Sequence, residues 1–162
     1  MNDPMTILKA DHREAKKLLT ALAESDEGVE RQQMAAQLEA TLSLHMQIEE
    51  GIVYPAVAEF VAPEDEEEAQ IEHDLARDGL ATMMSMVDKP GFGAAVEMLK
   101  GGIEHHVDEE ETQILPALKG ALPREEWLAI GDAIAGAKAD AATPVPTPRP
   151  RRPTRAEFSR NS

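Results

Sequence analysis

Four histidines and two glutamates are spaced as a metal site would need them. His45 and Glu49 stand four residues apart, as do His106 and Glu110, and His12 and His73 each precede one of these pairs by 33 residues. On a helix, positions i and i+4 are neighbours on one face, so each His/Glu pair can bind a single centre. The pattern recurs at an offset of 61: His12 falls on His73, His45 on His106, Glu49 and Glu50 on Glu110 and Glu111, Pro55 on Pro116, and Asp11 on Glu72. A repeat that keeps histidines, carboxylates and a proline while other residues drift is one supersecondary unit used twice. The two units should face each other about a pseudo-twofold axis.

The chain has no cysteine, which excludes disulfides, thiolate metal sites and cysteine nucleophiles and leaves imidazole and carboxylate as the ligands. Two metals suit the set best. With two histidines for each ion and Glu49 and Glu110 bridging, each ion receives four protein bonds and keeps about two positions of an octahedral shell for solvent bridges and ligands. A lone histidine on an apolar stripe is more often a hydrogen-bonded core residue. Six such groups together are different, because ionised side chains in low dielectric cost on the order of several kcal/mol each unless paired. No Lys or Arg falls on the inward stripes at the matching level.

The elements that must position these residues read as helices throughout, with Gly and Pro gathered at joints. Asp3 and Pro4 form an N-cap and first-turn proline, and Leu8, His12, Ala15, Leu19 and Leu22 then lie on one stripe to about Glu24. A second helix from near Gly28 carries Leu38, Leu42, His45, Glu49 and Ile52 inward until Pro55 kinks or ends it, leaving a short piece to about Val61. The third opens at Pro63 with the acids Glu64 to Glu68 in its first turns, where the helix dipole favours negative charge, and points Ala69, His73, Ala76, Leu80, Met83 and Val87 inward. After Lys89-Pro90-Gly91 the fourth carries Leu99, Ile103, His106, Glu110 and Ile114 and meets Pro116. The expected fold is all-α, an up-down-up-down four-helix bundle. A short extra helix from Pro123, with Trp127, Ile130 and Ile134, is expected to cover one end.

The 162 residues fit one domain, expected over 1–140, followed by a disordered Pro/Arg-rich tail over 141–162. The formal charge is −15, and because residues 143–162 hold five arginines against Glu157, the rest of the chain carries −19. A body this acidic repels phosphate backbones and anionic headgroups, so neither nucleic-acid nor membrane binding is expected of it. No leader or membrane span is read in the sequence, and a cytoplasmic location is expected. The tail could serve as a peptide ligand, for a partner the sequence does not name.

The pattern formed by His12, His45-Met-Gln-Ile-Glu49, His73 and His106-Val-Asp-Glu-Glu110 resembles the hemerythrin-like, or HHE cation-binding, domain over about residues 3–120. The resemblance implies two iron ions in an oxo- or hydroxo-bridged non-haem centre, with Glu49 and Glu110 bridging and the histidines as terminal ligands. It also implies contact with small oxidants: dioxygen, hydrogen peroxide or nitric oxide. Oxygen-carrying hemerythrins place another histidine four residues after the third-helix one, and here that residue is Arg77. Two open irons suit bridging substrates and redox turnover better than reversible carriage. The resulting expectation is catalase-like or peroxidase-like turnover of peroxide, or reduction of nitric oxide, in a stress response. The alternative is a sensor or store of dioxygen or iron without turnover.

Other candidates surround this set. His105 is either a replacement for the missing imidazole or an interhelical or surface residue, being rotated about 100° from His106. Tyr54 lies half a turn from His45 on a regular helix, where it would only pack; if Pro55 distorts the turn, its phenol can swing toward the metals as a ligand, donor or electron source. Its repeat partner, Leu115, cannot. Glu50 and Glu111 belong to the surroundings of the ligands or to solvent, and Met46, Met83, Met84 and Met86 either line the approach or fill the core.

Overall fold

The computed structural model describes residues 1–143; the Pro/Arg-rich segment from residue 144 onward, where the disordered tail is expected, lies outside the described residues. Among the described residues every regular element is helical and there is no strand. The helices are α1 (Pro4–Ala23), α2 (Val29–Ile48), α3 (Tyr54–Phe60), α4 (Pro63–Ser85), α5 (Phe92–Glu109), α6 (Leu115–Ala121) and α7 (Arg124–Ala142). Asp3 caps α1 as its spacing to Pro4 predicts, its carboxylate accepting from the Thr6 amide at 2.9 Å. Gly91, at φ +94°, lets the chain turn into α5 where a side chain would be strained.

Two five-residue π-helical segments, Glu49–Val53 and Glu110–Ile114, join α2 to α3 and α5 to α6. Their cause is the repeated proline. Pro55 and Pro116 have no amide hydrogen and their rings clash with the carbonyl four residues back, so the chain widens just before them and bonds i to i+5, Tyr54 N–H to Glu49 O and Leu115 N–H to Glu110 O. Each π segment begins at one of the two repeated glutamates. The extra residue also moves the inward stripe: Ile52, expected inside, is half-buried, and Val53 and Tyr54 are buried in its place.

The long helices α1, α2, α4 and α5 contact one another in a ring, α1 against α2 and α5, α4 against α2 and α5. Their apolar stripes form two separate cores, one around Leu19, Leu38, Leu80 and Leu99, the other around Leu8, Tyr54, Leu115 and Trp127. Between them lies the polar layer of histidines and glutamates. Val87, expected inward, is only partly buried at the edge of the first core.

The last helix differs most from expectation. It is not a short end cap but 19 residues long, about 28 Å, and runs along α1. It also continues two residues past the boundary expected at 140, through Ala141 and Ala142, the strongest of helix formers. The start of the chain holds it in place: Trp127 Nε1–H donates to Asp3 Oδ1 at 2.7 Å, and Asn2 donates to Asp132 at 2.9 Å. The two backbones come so close that a Cβ on residue 131 would sit 1.7 Å from the Asn2 carbonyl oxygen, which is why Gly131 stands there.

Candidate metal centre

His12 comes from α1, His45 from α2, His73 from α4 and His106 from α5, and all four are at most 6% exposed. Glu49 and Glu110, at the mouths of the two π segments, are fully buried. The imidazoles meet in pairs through Nε2: His12 and His45 at 3.1 Å, His73 and His106 at 3.2 Å. Two nitrogens each about 2 Å from one ion, at right angles to one another, lie about 3 Å apart. Glu49 joins the pairs, with Oε1 2.9 Å from His45 Nε2 and Oε2 3.1 Å from His73 Nε2. Glu110 Oε2 is 3.1 Å from His12 and 3.9 Å from His106. The structure thus brings together all six expected ligands, as one group of His12, His45, Glu49 and Glu110 and another of Glu49, His73 and His106.

Tyr54 enters the second group. Its hydroxyl is 2.8 Å from His73 Nε2 and 3.4 Å from both His106 Nε2 and Glu49 Oε2. The π segment is the reason: one added residue turns the helix back by about 100°, so a side chain half a turn away on a regular helix swings to the centre. Leu115, its counterpart, packs in the core, and the two halves are unequal.

Each imidazole is held from behind by a carboxylate. His12 Nδ1–H donates to Glu111 at 2.8 Å, His45 to Asp11 at 3.3 Å, His73 to Glu50 at 2.9 Å and His106 to Glu72 at 2.5 Å. Partial burial opposes the charge of Asp11, Glu50 and Glu111, but these hydrogen bonds and nearby cations outweigh it and hold all three below the usual carboxylate range. The bond from His106 does the same for Glu72. An ionised carboxylate only accepts, so each Nδ1 carries a proton, and when the imidazole is neutral, as a metal ligand must be, its Nε2 lone pair faces the chamber. The carboxylates are in turn contacted by Lys9 on Glu111, Lys138 on Asp11, Arg77 on Glu50 and His105 on Glu72.

Sequence reasoning missed Asp11 and Glu72 in this role, although the acid-His dipeptide is repeated. The acid does not serve its neighbour, since adjacent helical residues do not face each other; it serves the histidine of the next helix. Glu50 and Glu111 stand behind His73 and His12, and Arg77, at the position of the absent imidazole, bonds Glu50 at 2.6 Å. His105 is 63% exposed and outside the chamber. Of the four methionines only Met46 lines the chamber's cavity; Met83, Met84 and Met86 belong to the first core.

The charges favour a cation in the chamber. Burial opposes protonation of His12, His45 and His106, yet bonds to Glu110 and Glu49 lift His12 to about 9, and Glu49 lifts both His45 and His106 to about 10. Burial likewise opposes the charge of Glu49, but His45, His106 and His12 hold it well below the usual range. Burial and the Glu49 charge push Glu110 up. Glu49 Oε1 and both oxygens of Glu110 are buried without an aligned hydrogen bond, even where an imidazole nitrogen stands about 3 Å away. Six hard and borderline donors converge, with orphaned lone pairs, on space that positive charge would stabilise. They fit bound metal.

The hemerythrin HHE cation-binding domain matches residues 3–118. The chain belongs to that family. An uncharacterised hemerythrin-like protein of Schizosaccharomyces pombe is 33% identical over 91 residues, 54% of this chain and 45% of that protein. A DNA nickase of Nostoc sp. is 26% identical over 121 residues, 74% of this chain and 34% of that protein. The chain therefore spans less than half the length of these curated relatives. No solved structure matches it. The match ends before α7, so the HHE domain covers the chamber and both π segments, while the helix carrying Lys138 lies beyond it.

Proposed function

We propose that the chain is a cytoplasmic non-haem di-iron protein, built as an up-down-up-down four-helix bundle, that turns over small oxidants in a stress response. Hydrogen peroxide, by catalase-like or peroxidase-like reaction, is the first substrate of this reading and nitric oxide the second. The observation that carries it is the paired imidazoles sharing Glu49, with lone pairs left orphaned and a phenol at one side only. His12 and His45 would hold one ion, His73 and His106 the other, and Glu49 and Glu110 both. Bound iron would supply exchange of one or two electrons with the oxidant.

The chain's own residues do the rest. Asp11, Glu50, Glu72 and Glu111 fix the imidazole tautomers and orientation. Tyr54, kept protonated because burial and the charges of Glu49 and Glu110 push its hydroxyl far up, offers a proton at its phenolic oxygen on the His73 side. A largely apolar cavity of about 230 Å3, with Leu42, Met46, Ile103 and Val107 in its wall, borders the imidazoles and limits water. Arg77 supports turnover over carriage, since its guanidinium is committed to Glu50 and Asp74 and, among the described residues, the fifth imidazole, His105, lies outside the chamber. The nickase activity is not carried over: this chain covers a third of that protein, and its charge of −15 repels a phosphate backbone.

The test is oxygen release from hydrogen peroxide by purified, iron-loaded protein. A rate well above that of the same concentration of free iron is expected; an equal rate would rule catalysis out. Reversible bleaching under vacuum without turnover would favour the binding alternative.

A further inference from the structure

The repeat also relates two grooves that the molecule treats differently. In the first half Asp11, Glu14, Thr41 and Leu44 border the cavity beside α7, whose Lys138 lies among them with its ammonium on Asp11. Shifted by 61, these positions are Glu72, Leu75, Gly102 and His105, and all four line a groove of about 370 Å3 between α4 and α5. Among the described residues no helix lies over that groove as α7 does over the first. A Cβ on Gly102 would meet nothing within 4 Å. Leu75 and Met98 border it, 65% and 81% exposed, and Ile71 stands one turn before Leu75 at 61%. Half of the exposed large apolar side chains of the described residues stand here, on α4 and α5, as they do where a partner docks.

Charge selects the occupant. Glu64 and Glu68 continue the outward stripe of α4 before Ile71, Asp78 follows Leu75, and all three are exposed. Two copies of so acidic a rim repel, so a second copy of this chain does not fit. Three of the four carboxylates behind the imidazoles contact a fixed cation, Lys9, Lys138 or Arg77; Glu72 has the exposed His105 at 3.3 Å. We propose that the α4–α5 groove docks an amphipathic helix of a protein partner, apolar toward Leu75 and Met98, whose lysine or arginine reaches Glu72 as Lys138 reaches Asp11. Since Glu72 accepts from His106 Nδ1, the docked cation stands two contacts from the centre.

The probe is a synthetic peptide of residues 124–142 carrying Glu125→Gln, Glu126→Gln, Asp132→Asn and Asp140→Asn, which keeps the α7 register and makes it basic. Titrated into the full chain and followed by amide chemical shifts, it should bind one to one with shifts confined to α4 and α5. Leu75→Lys with Met98→Lys in the chain, two exposed changes whose fold is checked by circular dichroism, should weaken binding at least tenfold. Lys138→Gln in the peptide should weaken it similarly. The proposal is overturned by no binding up to millimolar peptide, by equal affinity for the double variant, or by shifts on α1 that show displacement of the resident helix. Self-association through this face, or tighter binding once residues 144–162 are removed, would also overturn it, by assigning the groove to a second copy or to the chain's own end.

Discussion

The half of the centre built by α1 and α2 and the half built by α4 and α5 hold the same histidines and glutamates at the same spacings, yet different residues stand around them. The first has Leu115 as the repeat mate of the phenol, and Lys138 of α7 behind Asp11. The second has Tyr54 against its imidazoles and exposed His105 behind Glu72. What is repeated is the donor set: two imidazoles, a shared carboxylate and a proline that opens the helix at the glutamate. What is not repeated is its surroundings, and they make two like half-sites chemically distinct.

The most damaging change to this arrangement removes what the halves share. Glu49→Gln should reduce firmly bound iron from about two ions per chain to less than one, as read by elemental analysis after gel filtration, because Glu49 offers one oxygen to each pair. His73→Ala, confined to the second half, should leave about one. If Glu49→Gln retained both ions, the carboxylate would not join the halves.

Stripping the metal leaves both halves in place without their cation. A ligand at about 1,000 times its dissociation constant stabilises the native state by roughly 4 kcal/mol, so calorimetry should show the apo protein melting about 10 °C or more below the loaded one. Equal melting temperatures would mean that the chamber does not hold ions in the folded state. Leu115→Ala and Tyr54→Phe separate the unequal members. The first should cost roughly 2–5 kcal/mol in denaturant unfolding as a core truncation with iron content unchanged; the second should leave the fold intact and weaken only the second ion.

The pH response of the apo protein follows from its raised histidines. His12 at about 9 and His45 and His106 at about 10 lie above their unfolded value of 6.5, so their contribution is full below pH 6.5 and is lost as pH rises through 9 to 10. Thermal melts of apo protein should therefore fall between pH 7 and 10 while the loaded protein, whose imidazoles are held by metal, changes less. The smallest effects are expected at the outer cations. Lys138→Met and Arg77→Met should each change stability by under about 1 kcal/mol and weaken one ion by roughly tenfold, Lys138→Met on the His45 side and Arg77→Met on the His73 side.

Much of this was legible in the sequence because it is periodic. His12, His73 and their apolar neighbours fall on stripes that the helical period fixes, and the His45/Glu49 and His106/Glu110 spacing is a one-turn relation that survives packing. Pro55 and Pro116 announced a disturbance, but a period of 3.6 does not describe a π segment, so Ile52 was placed inside where Val53 and Tyr54 belong. The crossed carboxylates were hidden for another reason: Asp11 serves His45 and Glu72 serves His106 across a helix interface that sequence adjacency does not reveal. The length and course of α7 rest on Trp127 with Asp3 and Asp132 with Asn2, contacts more than 120 residues apart that no local pattern encodes.

Under the proposed function, two ions would share one chamber and sit in unequal halves. Anaerobic titration with 57Fe(II), followed by oxidation and Mössbauer spectroscopy, addresses both parts at once. Two ions per chain are expected, giving two quadrupole doublets of equal area and different parameters, with Tyr54→Phe altering one of them alone. A single ion per chain, or a single doublet unchanged by Tyr54→Phe, would contradict it.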